Sequence, residues 1–253
     1  MNKLGIFGHG KMGKAIEEIG TSDQFNKILH IKIYHKGEDI KKFIDSCDVI
    51  IDFSNANGTE FLVSNLLNHQ LEKPCLIGTT ALYNETINKI STLSHKSPIM
   101  IAPNVSLGAN LLANISSKIA AMIHSEYDID IIDIHHNQKI DNPSGTALMI
   151  KNEIVNNLNI TTKNISSESG DSIKQINNIE NKSFEEKVKI HSIRAGSYPG
   201  EHKIIFSGDE DSFEISHKIL NRKLLAKSAI KAAIWLNRQT PGKYQITSMY
   251  NKL

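Results

Sequence analysis

A short apolar run, Leu4-Gly5-Ile6-Phe7, passes directly into Gly8-His9-Gly10-Lys11-Met12-Gly13. Lys14-Ala15-Ile16-Glu17-Glu18-Ile19-Gly20 then continues at helical spacing to a closing glycine. No other feature restricts the available folds as tightly. Glycines between a buried strand and a helix permit a tight turn and the close approach of a pyrophosphate to open helix amides. Alone, Gly-x-Gly-x-x-Gly is a weak pattern. Between a strand and a helix it predicts a dinucleotide fold, with Gly8, His9, Gly10, Lys11, Met12 and Gly13 as cofactor contacts.

The next 90 or so residues repeat the alternation. Ile31-Lys32-Ile33-Tyr34, Asp48 to Ser54, Cys75 to Thr80 and Ile99 to Ala102 read as strands. Helical spacing follows at Thr59 to Leu67 and Asn84 to Ser94. Strands alternating with helices predict an α/β, Rossmann-type, doubly wound parallel sheet. Ligands bind such sheets at the carboxyl ends of the strands. Phe53-Ser54, Gly78-Thr79-Thr80 and Ala102-Pro103-Asn104-Val105 fall there, so Gly78, Thr79, Thr80, Ala102, Pro103, Asn104 and Val105 are expected to contact a nicotinamide. An acidic residue often ends the second strand, where it holds ribose hydroxyls. Here Tyr34-His35-Lys36 stands instead, and the basic His35 and Lys36 predict that NADPH is accepted.

After Ser106 the character changes. Leu107 to His124 reads as one long helix, and Tyr127 to Ile134 as a β-branched strand. That strand delivers His135-His136-Asn137-Gln138-Lys139, and Asp141-Asn142-Pro143-Ser144-Gly145-Thr146-Ala147 opens a helix to about Leu158 with Ser144 as its N-cap. Open amides at a helix start suit an anion such as a carboxylate. Lys139 adds positive charge, and His135 is of the type that exchanges a proton near neutral pH. A lone His-His pair more often caps neighbouring carbonyls; Lys139 and the Pro-Ser-Gly-Thr start tip the reading toward function. Residues 160–186 are polar and aperiodic and read as loop. Period-2 strands follow at Val188–Arg194, His202–Phe206 and Ser212–His217, then a helix from Arg222 to Asn237 and an irregular tail. The expectation is a C-terminal α+β domain with a mixed, largely open-faced sheet.

Composition narrows the partners. A net charge of +2 over 253 residues argues against a dedicated nucleic-acid binder. With 40% hydrophobic and 22% charged residues the chain is ordinary for a soluble protein. Cys47 and Cys75 suggest neither a disulfide framework nor a metal site, which fits a reducing cytoplasm. Neither a signal-peptide run nor a membrane-length apolar segment is evident.

Taken together, these motifs resemble the dihydrodipicolinate reductase family nearly end to end. The resemblance rests on the glycine fingerprint, Asp52-Phe53-Ser54, Gly78-Thr79-Thr80, Ala102 to Ser106, His135 to Lys139 and Pro143 to Ala147. Arg194-Ala195-Gly196, Gly200-Glu201-His202 and the segment from Ser216-His217 to Arg222 extend it. The resemblance implies hydride transfer from NADPH or NADH to a small cyclic dicarboxylate, 4-hydroxy-tetrahydrodipicolinate or its dehydrated form, in lysine and diaminopimelate biosynthesis. It implies that His135 is the acid/base group and that Lys139 donates a proton and anchors a carboxylate. His136 would touch the substrate, and Ser144, Gly145 and Thr146 would grip its carboxylate. It also implies a homotetramer, and a dinucleotide domain of residues 1–105 to which 217–253 return, with 106–216 as substrate and oligomerisation domain. The family often carries an acidic residue where Tyr34-His35-Lys36 stands, a departure that bears on NADH preference. Two other readings share the fingerprint: another NAD(P)-dependent imino- or keto-acid reductase, and a non-catalytic NAD(P)-sensing module. Neither requires His135, Lys139 and Gly145-Thr146 together.

Overall fold

The computed structural model describes residues 2–168, 184–221 and 223–249, with the side chains of 161–168 left aside. It divides into two compact units, Met1–Leu107 with Arg222–Leu253, and Gly108–Asn221.

In the first unit β1 (Asn2–Phe7), β2 (Leu29–Ile33), β3 (Val49–Asp52), β4 (Cys75–Ile77) and β5 (Pro98–Ile101) are joined by a late strand, β10 (Gly242–Tyr244). All neighbours run parallel, in the order β10-β5-β4-β3-β1-β2. β3 and β4 are buried at every position, which is why they read as continuous apolar runs rather than as alternating ones. One core joins Leu4, Ile6, Val49 and Ile51 to α1 (Lys11–Gly20) and α8 (Lys223–Leu236). A second joins Phe7, Ile50 and Ile77 to α2 (Ile40–Asp45), α3 (Ala56–Asn68) and α4 (Asn84–Ser94). Helices on both faces of a parallel sheet make the doubly wound fold expected.

Three local expectations need correction. No helix is expected at Ile40–Asp45, yet α2 forms there, capped by Asp39, which accepts a hydrogen bond from the Lys42 amide at 3.1 Å. The tail after Arg238 is not irregular. It supplies β10, paired with β5 from Gly242↔Pro98 to Tyr244↔Met100, and a 3-10 turn at Ile246–Met249. Three residues with one exposed lysine carry no periodic signal, so the pairing, not the local sequence, makes this strand. Strands β3 and β4 also end earlier than expected, leaving Phe53-Ser54 and Gly78-Thr79-Thr80 as loops beyond them.

The second unit has a four-stranded sheet, β7 (Val188–Arg194), β6 (Asp128–His135), β8 (Glu201–Ser207) and β9 (Ser212–Lys218), in that order. β6 and β7 are parallel and the other pairs antiparallel. Helices α5 (Leu107–Ile123) and α6 (Gly145–Glu168) bury Ile129, Ile131, Ile204 and Phe206 on one face. The alternate residues Ile132, Ile134 and Ile205, half-buried, lie on the opposite face, which no helix among the described residues of this unit covers. Helix α6 runs ten residues past the expected end at Leu158, and a short α7 (Phe184–Lys187) precedes β7. The supposed loop at 160–186 is therefore helical over 160–168 and 184–186, and 169–183 lies outside the described residues. Among the described residues no helix is long and apolar enough to cross a membrane.

Candidate active site

In the first unit the turn after β1 needs glycine at two places. Gly8 has φ +95°, and a Cβ there would lie 2.5 Å from the Ser54 amide. A Cβ on Gly13 would lie 2.2 Å from the Gly8 carbonyl oxygen, so α1 can rest on the turn only without one. Gly10 is different: it is the N-cap of α1, makes no side-chain cap, and has open space where a Cβ would point. An uncapped helix start beside open space fits a dinucleotide pyrophosphate. Lys11 is exposed at the first turn, whereas the Met12 side chain packs against the core. His9 Nε2 lies 2.7 Å from Glu17 Oε2, so its imidazole is held against α1.

Beyond β3 and β4 a cavity of about 340 Å³ is lined by Phe53, Ser54, Asn55, Gly78, Thr79 and Thr80. Gly78 admits the Phe53 ring, which would stand 2.2 Å from a Cβ. Asp52, fully buried at the end of β3, accepts from the Ser54 amide at 2.8 Å and from the Ser54 and Thr59 hydroxyls. Burial pushes its carboxyl up, more than those hydrogen bonds pull it down. Ala102, Pro103, Asn104 and Val105 do not line this cavity. Ala102 and Val105 are core residues, and Asn104 Oδ1 accepts from the Ser106 amide at 2.8 Å. His35 and Lys36 are exposed beyond β2, with the His35 ring 6.4 Å from that of His9. The His35 amide donates to Glu38 Oε2 at 3.2 Å.

In the second unit β6 puts Ile129, Ile131, Asp133 and His135 on its buried face. That face turns from apolar to ionisable at the strand's carboxyl end. The loop that follows is tied to the turn after β7: Ala195 N–H donates to the His135 carbonyl, His136 N–H to Tyr198 and Asn137 N–H to Gly196. The loop then enters α6 through Ser144, whose hydroxyl accepts from the Ala147 amide at 3.1 Å. Ser144 is buried and also lies 3.2 Å from His202 Nε2, so its hydroxyl acts as a cap. Gly145 is exposed with open space above it, and Thr146 is half-buried beside it. The same loop carries the half-buried His136 and Lys139, whose Nζ is 2.8 Å from Asp141 Oδ2. Burial raises the Asp141 carboxyl, but the Lys139 ammonium together with the Asp141 and Gly145 amides leaves the group below its ordinary value.

Sequence reasoning assigned no role to the residue beneath this loop, Asp133. It is fully buried, and its Oδ2 accepts from the Ser144 amide at 2.9 Å, Ser192 Oγ at 3.2 Å and Arg194 Nη2 at 3.0 Å. Its Oδ1 lies 2.8 Å from His135 Nδ1 and 3.3 Å from His202 Nε2, ionic contacts outside ideal hydrogen-bond alignment. Burial alone would raise this carboxyl; contacts from His135, His202 and Ser144 hold it well below the usual carboxylate range. The signal was present in the sequence as an acid at a core-facing register of a strand, a position where Asp is depleted. In the sequence Arg194 and His202 stand only within family motifs, with no role of their own. Arg222 lies outside the described residues.

The dihydrodipicolinate reductase C-terminal model matches residues 108–250 and the N-terminal model residues 2–105. The chain belongs to the dihydrodipicolinate reductase family. A relative from Campylobacter jejuni subsp. doylei, a 4-hydroxy-tetrahydrodipicolinate reductase, is 35% identical over 100% of this chain and 98% of its own. One of the same name from Clostridium botulinum is 34% identical over 93% and 92%. A solved dihydrodipicolinate reductase from Paenisporosarcina sp. TG-14, with dipicolinate bound, shares the fold at TM-score 0.71 and 21% identity, each chain fully covered. Membership of a dihydrodipicolinate reductase family makes this chain an oxidoreductase that works with a nicotinamide cofactor.

Proposed function

We propose that this chain reduces 4-hydroxy-tetrahydrodipicolinate, or its dehydrated form, to tetrahydrodipicolinate, with loss of water. The observation that carries the reading is the β6–α6 loop, which groups His135, Lys139 and the helix start at Gly145 in one segment, where the Asp141 carboxylate is held by both Lys139 and the Gly145 amide. Bound NADPH or NADH supplies the hydride. Each hydride that enters the ring must be matched by a proton, and an acid at hydrogen-bond reach speeds that step by roughly 10²–10⁴-fold. Lys139 Nζ donates it, and His135 exchanges protons with the substrate or with Lys139. One substrate carboxylate sits on the Gly145 and Thr146 amides, where the helix start favours an anion, with His136 beside it. To reach Lys139 it displaces Asp141. Ser144 acts through the cap it makes rather than by touching substrate.

Gly8, Gly10, Lys11 and Gly13 cradle the pyrophosphate, and Gly78, Thr79 and Thr80 receive the nicotinamide end. The exposed His35 and Lys36 beyond β2 are read as the cations that meet a ribose phosphate, so that NADPH is accepted. The uncovered sheet face of the second unit, with Ile132, Ile134 and Ile205, is read as the surface through which copies assemble into a homotetramer. A cytoplasmic location fits this biosynthetic role.

The test follows NADPH and NADH oxidation with the freshly generated cyclic substrate and with open-chain keto acids. Turnover of the cyclic substrate alone supports the reading. Preference for open-chain keto acids would replace it with the rival imino- or keto-acid reductase.

A further inference from the structure

We propose that Asp133 is the positioning residue of this site: one buried carboxylate that sets both the orientation of the His135 ring and the start of the carboxylate-binding helix α6. The inference rests on the proposed roles of His135 and the α6 start, and extends them one layer inward.

A carboxylate taken out of water costs several kcal/mol unless donors surround it. An isoleucine, continuing the series Ile129 and Ile131, would fill the same core-facing register without that cost. Asp133 is instead ringed from every packed element. His135 comes from its own strand, Ser192 and Arg194 from β7, His202 from β8 and the Ser144 amide from the start of α6. Beyond these, His217 on β9 faces the cluster through His202. The two oxygens divide the work. Oδ2 collects the Ser144 amide and Arg194, and Arg194 Nη2 also donates to the Asp141 carbonyl at 2.8 Å. This frames both ends of the loop segment that leads into α6. Oδ1 faces the two imidazoles, whose rings meet edge to face at 5.2 Å.

The consequence for His135 is chemical. A carboxylate oxygen 2.8 Å from Nδ1 is favourable only if Nδ1 carries a proton, which leaves the Nε2 lone pair as the working nitrogen of the neutral ring. Nε2 points past Gly200, where a Cβ would approach to 3.0 Å and φ is +152°, a conformation suited to glycine. The strand end thus selects a tautomer, and the lack of a Cβ at Gly200 leaves room beside the free nitrogen of this buried ring.

The test compares Asp133→Asn, Asp133→Glu and Asp133→Ala with the wild type by kinetics, ligand binding and ¹⁵N-histidine NMR, using His135→Gln to assign the resonance. At a pH near 8.5, where imidazoles are neutral, wild-type His135 should show the Nδ1–H tautomer. An Nε2–H tautomer in the wild type overturns the proposal without any variant being needed. Asp133→Asn turns an amide NH₂ toward Nδ1 and should switch the tautomer, lowering kcat by about 100-fold or more. Affinity for NADPH and for dipicolinate should stay within about threefold, since the remaining oxygen still holds the Ser144 amide. Asp133→Ala should weaken dipicolinate binding as well, and Asp133→Glu should recover part of kcat. An unchanged His135 spectrum and a kcat within about threefold in Asp133→Asn would reduce Asp133 to a structural staple. If His135→Gln retains full turnover, it is the assignment of His135 that fails. The tautomer switch in Asp133→Asn is read from the spectrum regardless.

Discussion

Asp52 and Asp133 are both fully buried at the carboxyl ends of strands, yet they titrate in opposite directions. Around Asp52 the donors are neutral, the Ser54 amide and two hydroxyls, and burial prevails. Around Asp133 stand a guanidinium, two imidazoles and a helix amide, and burial is overcome. The difference reflects what each unit does with its strand ends. On the proposed function the first unit meets its ligand with backbone and small side chains, and its aspartate holds a turn. On the same proposal the second does acid/base work with side chains, and a fixed charge aims them.

The largest expected effect tests that division directly. Lys139→Ala should lower kcat/KM by about 10³-fold while leaving NADPH affinity unchanged in a fluorescence titration. Loss of NADPH affinity with turnover spared would invert the assignment of the two units. Next, the two aspartates should differ in stability. Asp133→Asn leaves Arg194 without its buried countercharge and should cost about 3 kcal/mol in urea unfolding at neutral pH, whereas Asp52→Asn, among neutral partners, should cost about 1 kcal/mol. Equal costs would erase the contrast.

Third, Gly13→Ala forces a methyl onto the Gly8 carbonyl. A loss of about 2 kcal/mol, or some thirtyfold in the Kd for NADPH, is expected, with no loss of dipicolinate affinity if its site lies, as proposed, in the second unit. Fourth, acid should separate the two aspartates. A depressed folded pKa, as at Asp133, stabilises above the unfolded value of about 3.9, and that contribution is lost as pH falls toward the folded value. A raised one, as at Asp52, contributes below about 3.9 and loses its effect as pH rises through the folded value. Hydrogen exchange on acidification from pH 7 toward about 3 should therefore loosen β6 and β7 before β3 and β4. The reverse order would refute the assigned directions. The smallest effect concerns Asp141. An exposed pair of this kind is worth roughly 0.2–1 kcal/mol, so Asp141→Asn, by freeing Lys139, should lower the substrate KM by up to about fivefold.

Local chemistry made much of this molecule legible. The turn at Gly8 to Gly13, the helix cap at Ser144 and the alternation of β6 are each determined within a few residues of chain, and each stands where the pattern placed it. Boundaries were less visible. The extension of α6 past Leu158 lies in a polar stretch with no apolar stripe, and β10 is a strand only because β5 offers its edge. The family markers Arg194 and His202 could be read as letters, but not as parts of one cluster with Asp133, because they come from β7 and β8, more than fifty residues further along the chain.

The amino-acid sequence by itself determined the class of fold, the glycine cradle and the loop that bears His135 and Lys139, because turns, caps and periodicity are short-range properties of the chain. Only the tertiary structure decided that Asp133 underlies that loop, that the Ser144 hydroxyl is spent on a cap and that Lys139 rests against Asp141. Which charges meet in a buried space depends on strand order and register. Those are settled by packing over the whole unit, and no window of sequence contains them.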